Sequence, residues 1–186
     1  MGKALAEEAI QSGYDVQFIT GPVSSENLPA LDANNIHSIQ SAEEMLAMAQ
    51  QLVSDAQVVI FAAAVADYTP IEKLTEKMGK SDADLTLQLR PTPDIAKTLG
   101  AQKREDQIFI GFALQTSDGE THAQRKLTAK NLDGIILNTP ASLGAEQGTF
   151  TLLSPSTAPI HWGSISKQTC ATRILDAIEQ RSEDLG

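Results

Sequence analysis

The chain has a single cysteine, Cys170, among 186 residues. One thiol excludes an intrachain disulfide and any cysteine-based metal cluster. No hydrophobic run is long enough to cross a membrane as a helix, although hydrophobic residues make up 41% of the chain. Positive charge is scarce, with Lys+Arg 14 against Asp+Glu 24, a formal net charge of −10. A pI near 4.6 argues against a general affinity for nucleic acid or anionic lipid. It leaves room for a local basic pocket that holds one phosphate ligand. With one cysteine and no signal peptide, a cytoplasmic location is expected.

Several chemical signatures are also missing. The sequence has no Gly-x-Gly-x-x-Gly and no Walker A segment, so neither standard phosphate loop is present. The three histidines, His37, His122 and His161, are scattered without a second ligand at metal spacing. There is no Gly-x-Ser-x-Gly to support a serine nucleophile. Tyr68 and Lys73 are five apart rather than the four of a short-chain dehydrogenase pair.

What is there reads as alternating strands and helices, hence an α/β domain with a mostly parallel sheet and helices on both faces. One domain spanning 1–186 is the simplest count. The first ten residues predict an amphipathic helix, with Leu5, Ala6, Ala9 and Ile10 on one face and Gly13 as a stop. A doubly wound domain normally opens with a strand and a phosphate-holding loop. The expectation is therefore a piece whose first strand and phosphate loop lie upstream of Met1.

Further strands are predicted at Asp15–Thr20, Ile36–Gln40, from Val58, at Leu85–Leu89, Ile108–Phe112 and Ile135–Leu137. Phe150–Leu153 and Ile160–Trp162 read as an antiparallel pair. Ser41-Ala42-Glu43-Glu44 is a capping box that opens a helix to about Val53. Helices are also expected from about Gly119 to Ala129 and from Ser166 to about Gln180. Leu85–Leu89 alternates, so one of its faces should meet water or a partner, which makes it the candidate dimer edge.

The stretch Val58-Val59-Ile60-Phe61-Ala62-Ala63-Ala64-Val65-Ala66-Asp67-Tyr68-Thr69-Pro70 is the most informative. It begins as a buried parallel strand, turns to small residues, and reaches a carboxylate. Ligands of open α/β sheets sit at the carboxyl ends of the strands, where small side chains let them approach the backbone. Asp67 is either a ligand contact or an ordinary turn aspartate bonded to local amides. Thr92-Pro93-Asp94 predicts a helix start with Thr92 as N-cap, which local chemistry explains without a ligand. Lys126 and Lys130 share a helix face at a spacing where like charges repel. They form either a solvated face or a seat for a diphosphate or triphosphate. Glu72–Asp84 is polar and lysine-bearing, like a loop that closes over a ligand.

In order along the chain stand Ala62-Ala63-Ala64-Val65-Ala66-Asp67-Tyr68, Glu76-Lys77-Met78-Gly79-Lys80 and Thr92-Pro93-Asp94-Ile95. They are followed by Gly111-Phe112-Ala113-Leu114-Gln115-Thr116 and Lys126-Leu127-Thr128-Ala129-Lys130-Asn131-Leu132-Asp133. This series resembles the phosphopantothenoylcysteine synthetases, the phosphopantothenate–cysteine ligases of coenzyme A biosynthesis. In bacteria such a domain is often fused behind a decarboxylase. The resemblance runs from Met1 to about Asn138.

The resemblance implies a Rossmann-like fold, a homodimer with small antiparallel elements for dimerisation, and three substrates: 4'-phosphopantothenate, cysteine and CTP. It implies Mg²⁺, and FMN only in the fused decarboxylase domain upstream. By position, Lys77 matches a lysine of the flap that closes over the nucleotide and is the implied catalytic residue. Asp67 matches a nucleotide or metal contact. Phe61, Ala62 and Ala63 line the strand end. Pro93, Asp94, Ile95 and Ala96 match the segment that reads the cytosine. Phe112 matches a base-packing ring, and Lys126 and Lys130 match two nucleotide-binding lysines. Gly79 stands where the flap usually has a further lysine, and Gln115 where the family usually has Glu. The family's Asn-x-Ser-Ser-Gly segment would lie before Met1. Two other readings stay open: a nucleotide-binding or dimerisation remnant without turnover, and a nicotinamide-dependent oxidoreductase. The missing glycine fingerprint speaks against the second.

Overall fold

The structure is a computed structural model. It describes every residue except 73–75, 77–78, 80–83, 115–118, 141–144, 156 and 186, and omits the side chains of 184 and 185. The expected α/β architecture is present. A five-stranded sheet has the order β3-β6-β7-β8-β9, from β3 (Val58–Phe61), β6 (Ile108–Leu114), β7 (Gly134–Asn138), β8 (Gln147–Leu153) and β9 (Ile160–Ser166). β3, β6 and β7 run parallel, with Val58 opposite Ile108 and Gly111 opposite Ile135. β8 and β9 continue the sheet antiparallel, as the sequence predicts, but each is seven residues long.

Two smaller sheets stand apart. β1 (Phe18–Thr20) and β2 (Ile36–Ser38) form a parallel pair. β4 (Tyr68–Pro70) and β5 (Leu89–Pro91) form an antiparallel ribbon. The alternating stretch 85–89 therefore enters a ladder only at its last residue. Its leucines 85, 87 and 89 are 62%, 60% and 52% exposed, and Thr86 and Gln88 between them are exposed as well, so the alternation does not divide a buried face from an open one.

The continuous apolar runs of β6 and β7 are buried because helices cover both faces. On one face, Ile108, Ile110 and Ile136 pack with Leu5 of α1 (Gly2–Gln11) and with Ile174 and Ile178 of α5 (Lys167–Leu185). On the other, Phe109, Ile135 and Leu137 pack with Leu99 of α3 (Ile95–Gly100) and with Ala123 and Leu127 of α4 (Gly119–Ala129). Cys170, on the core-facing side of α5, is fully buried, and burial pushes its thiol up to about 12, so it is inert at neutral pH. Among the described residues no helix is long and apolar enough to cross a membrane.

α2 (Ala42–Leu52) opens at Ser41, whose hydroxyl accepts from the Glu44 amide at 3.2 Å. The returning bond of the box is shifted by one residue: the Glu44 carboxylate accepts from the amide of Gln40 at 2.7 Å.

Candidate functional site

One cleft of about 1430 Å³ runs along the carboxyl ends of the strands and between the β1–β2 pair and β3. Phe61, Ala62, Ala63 and Asp67 line it from the β3 side. Pro93, Asp94, Ile95 and Ala96 line it from the start of α3, and Phe112, Lys126 and Lys130 line it from β6 and α4. Residues up to 69 positions apart thus meet in one place. Lys77 and Gln115 lie outside the described residues.

The segment from 92 to 97 is built differently from the sequence expectation. Thr92 is not the N-cap. Its hydroxyl donates to the carbonyl of Ala66 and its amide donates to the carbonyl of Asp67 at 3.0 Å. Those two bonds pin the strand-end loop of Asp67 against the start of α3. With Thr92 so engaged, Asp94 becomes the N-cap, and its Oδ1 accepts from the amide of Lys97 at 3.1 Å. Pro93 therefore precedes the cap instead of opening the helix.

Asp94 Oδ1 also accepts from Lys130 Nζ at 2.9 Å. Burial alone would push this carboxyl up. The hydrogen bonds from Lys130 and Lys97, and the charges of both lysines, outweigh it and hold Asp94 below the usual carboxylate range. Lys130 lies one residue beyond α4, and its amide still donates to the carbonyl of Lys126 at 3.0 Å. Both lysines thus stand at the C-terminal end of the helix, where the helix dipole favours cations. Lys126 forms no ion pair among the described residues.

α4 ends this way because Asn131 takes a left-handed conformation, φ 52°. Its side-chain amide donates to the carbonyl of Gly100 at 3.0 Å. The ends of α3 and α4 touch there, and this fixes Lys130 next to Asp94.

Two candidate residues divide their duties. The ring of Phe61 meets Phe109 edge-on, 5.5 Å between centroids at 72°, so its side chain serves the core. Ile95 is 8% exposed and packs in the α3–α4 core. These residues can meet a ligand chiefly through their backbone. Asp67 is exposed. No cluster of three or more His, Cys, Asp or Glu suited to a metal occurs among the described residues. A single exposed carboxylate is compatible with Mg²⁺, which is usually held by one or two carboxylates together with substrate phosphates and water.

The opposing wall was not singled out from the sequence. It is formed by Thr20, Gly21 and Pro22 after β1 and by Gln40 and Ser41 before α2. The readable signal was position: Thr20-Gly21-Pro22, like Ala62-Ala63, is the carboxyl end of a strand.

Residues 1–181 match the family of the DNA/pantothenate metabolism flavoprotein C-terminal domain. The chain belongs to this family. The coenzyme A biosynthesis bifunctional protein CoaBC of Bacillus subtilis (strain 168) is 38% identical over 190 residues, covering 100% of this chain and 46% of that protein. A protein called cysteine/cysteine sulfinic acid decarboxylase, from an unknown prokaryotic organism, is 38% identical over 160 residues, covering 84% of this chain and 44% of its own length. This family member thus spans less than half the length of these relatives. The solved C-terminal domain of a CoaBC protein superposes with a TM-score of 0.79 at 32% identity, covering 98% of this chain and 82% of that one. A Cab2 variant in complex with phosphopantothenate-cysteine, 14% identical with a TM-score of 0.72, shares the fold alone.

Proposed function

We propose that the chain is the ligase part of a coenzyme A biosynthesis protein, joining 4'-phosphopantothenate to cysteine at the expense of CTP. The observation that carries this reading is the meeting of Asp67, Asp94, Lys126 and Lys130 in one cleft at the strand ends, in a chain of the pantothenate flavoprotein family.

In this reading Lys126 and Lys130 hold the triphosphate. Lys130 has three N–H donors; one is engaged by Asp94 and orients the ammonium, leaving two for phosphate oxygens. Pro93 to Ala96 face the cytosine through their backbone, and Phe112 packs against the base. Lys77 closes over the phosphates as the catalytic cation. Asp67, together with phosphate oxygens, would hold Mg²⁺, which supplies charge neutralisation for the triphosphate.

The substrate carboxylate attacks the α-phosphorus of CTP, the bond to the β-phosphate oxygen breaks, and pyrophosphate leaves. The amine of cysteine then attacks the acyl carbon of the acyl-cytidylate. CMP leaves, the amide forms, and the amine proton passes to solvent. Positive charge fixed around the phosphates lowers both barriers, because it meets the charge that develops on phosphate and leaving group. The reading includes a homodimer, with the exposed stretch Leu85–Leu89 and its neighbours as its contact, and a fused decarboxylase domain carrying FMN.

The test is CMP release from CTP, phosphopantothenate and cysteine, with the chain assayed alone and joined to any residues encoded directly upstream. Cysteine-dependent CMP release by the longer protein supports the ligase. CTP turnover by neither form, with CTP still bound, supports instead a nucleotide-binding remnant. NADH binding without CTP binding would return the oxidoreductase reading.

A further inference from the structure

The ribbon of β4 and β5 runs one rung further than its strands. With Tyr68 opposite Pro91 and Pro70 opposite Leu89, the same register sets Asp67 opposite Thr92 and Ile71 opposite Gln88. Both outer pairs are bonded: the Thr92 amide donates to the Asp67 carbonyl at 3.0 Å, and the Ile71 amide to the Gln88 carbonyl at 3.0 Å. Antiparallel rungs fall on alternate pairs, so Pro70 and Pro91 occupy the pairs that need no amide. The rung between Thr92 and Asp67 is the last. Pro93 follows it, has no amide to offer, and disfavours a helical Thr92.

Thr92 makes a second bond in the same direction, from its hydroxyl to the carbonyl of Ala66. The Ala66 carbonyl belongs to the peptide plane before the Cα of Asp67, and the Asp67 carbonyl to the plane after it. One residue therefore fixes both planes from which the Asp67 side chain hangs. Among the described residues, 63–66 makes no other backbone hydrogen bond. Ala66 is exposed, so water can serve its carbonyl equally well, and what the hydroxyl adds is orientation. Two residues beyond Thr92, Asp94 caps α3 and accepts from Lys130 at 2.9 Å. Thr92 is thus the joint between the Asp67 loop and the segment that carries the Asp94–Lys130 pair, and all of these residues line the cleft.

We infer that Thr92 is a positioning residue of the nucleotide site, its hydroxyl setting the direction of the Asp67 carboxylate relative to the Asp94–Lys130 pair. This role rests on the nucleotide reading given above. A carboxylate beside a triphosphate repels it. With a divalent cation between them, the same carboxylate holds the triphosphate in place. Misdirecting Asp67 therefore weakens CTP binding only when Mg²⁺ is present. A residue that merely supported the fold would act with and without the cation.

The test uses Thr92→Val, which removes the hydroxyl but keeps the shape, the β-branch and the amide rung, and Thr92→Ser, which keeps the hydroxyl. Nitrogen-15 relaxation without nucleotide comes first. The Asp67 amide shares its plane with the Ala66 carbonyl, and its order parameter should fall from about 0.85 toward about 0.6 in Thr92→Val. The Tyr68 amide, in the plane held by the remaining rung, should not change, and Thr92→Ser should match the parent. In CTP titrations with Mg²⁺, Thr92→Val should bind about three- to tenfold more weakly, the worth of one hydrogen bond. Without Mg²⁺ it should equal the parent, and in an Asp67→Asn background Thr92→Val should add nothing further. An unchanged Asp67 amide would overturn the inference. So would unchanged CTP affinity with Mg²⁺, or equal weakening with and without it. A parent that binds no CTP overturns the proposed function and this role with it, and the nucleotide-free relaxation shows whether the pinning itself failed.

Discussion

A β-carbon on Gly100 would lie 1.9 Å from the carbonyl oxygen of Lys130. The two helix ends can meet only because residue 100 has no side chain. The obstructing atom is backbone, so it cannot swing aside. Gly100→Ala must push α3 and α4 apart and move Lys130 from Asp94. Overpacking of this kind costs about 1–3 kcal/mol. The variant should unfold at lower denaturant and bind CTP more weakly per folded molecule. Urea titration and calorimetric CTP titration, done on the same preparation, check both halves.

Lys126→Ala and Lys130→Ala should each weaken CTP binding by about tenfold or more. A hydrogen bond to a charged group is worth about 1.5–3 kcal/mol, and 1.4 kcal/mol is a factor of ten. Lys126 is exposed and without an ion pair among the described residues, so its loss should leave the melting temperature nearly unchanged. Isothermal titration at fixed ionic strength measures the first effect and scanning calorimetry the second.

Asp94 couples a helix cap to a cation, and its pH behaviour separates the two. Its folded carboxyl titrates below the usual range, so its charge adds stability that is fully present above the unfolded value, about 4. That contribution disappears as pH falls through the lower folded value. Asparagine caps as well as aspartate but carries no charge. Asp94→Asn should therefore be less stable than the parent at pH 7, by no more than about 1 kcal/mol for so exposed a pair. The difference should vanish once the pH falls below the lowered value of the folded carboxyl. Asp94→Ala loses the cap as well, at a further cost of about 0.5–2 kcal/mol, and should stay destabilised at every pH. Denaturation curves at several pH values give the comparison.

Away from the site, Asp133 anchors β6 to the end of α4. Its carboxylate pairs with Lys103 and accepts the Phe109 amide at 2.7 Å, while its own amide donates to the Phe109 carbonyl. Lys103 and Asp133 are 9% and 11% exposed. Asp133→Ala leaves a buried ammonium and a buried amide unpaired and should destabilise the fold by about 3–5 kcal/mol. Asp133→Asn with Lys103→Met keeps an acceptor and removes the charge, so it should recover much of that loss. Chemical denaturation of the single and double variants decides, and CTP affinity per folded molecule should be unchanged.

Much of this arrangement is legible in the sequence where local chemistry is unambiguous. Ile108–Phe112 can only be a buried strand, and Ser41 to Glu44 can only open a helix. The candidate site is legible as strand ends and small residues. Thr92-Pro93-Asp94 is harder: the sequence points to Thr92 as the N-cap, and the structure uses Asp94. The choice falls to Asp94 because the Thr92 hydroxyl is drawn to Ala66, 26 residues away. The pairing of Lys130 with Asp94 spans 36 residues, and no spacing rule reaches that far. The two residues that enforce it, Gly100 and Asn131, act through contacts between helix ends 31 positions apart. The alternation of 85–89 predicts a longer strand than forms. Its ladder partner, β4, is only three residues long, so pairing stops at Leu89.

CTP titration of the chain, alone and joined to any residues encoded directly upstream, in the presence of Mg²⁺, tests the central claim most directly. The account predicts saturable binding at one site per chain, weakened at least a hundredfold when Lys126 and Lys130 are both changed to alanine. Absence of saturable CTP binding, or equal binding by the double variant, would contradict it.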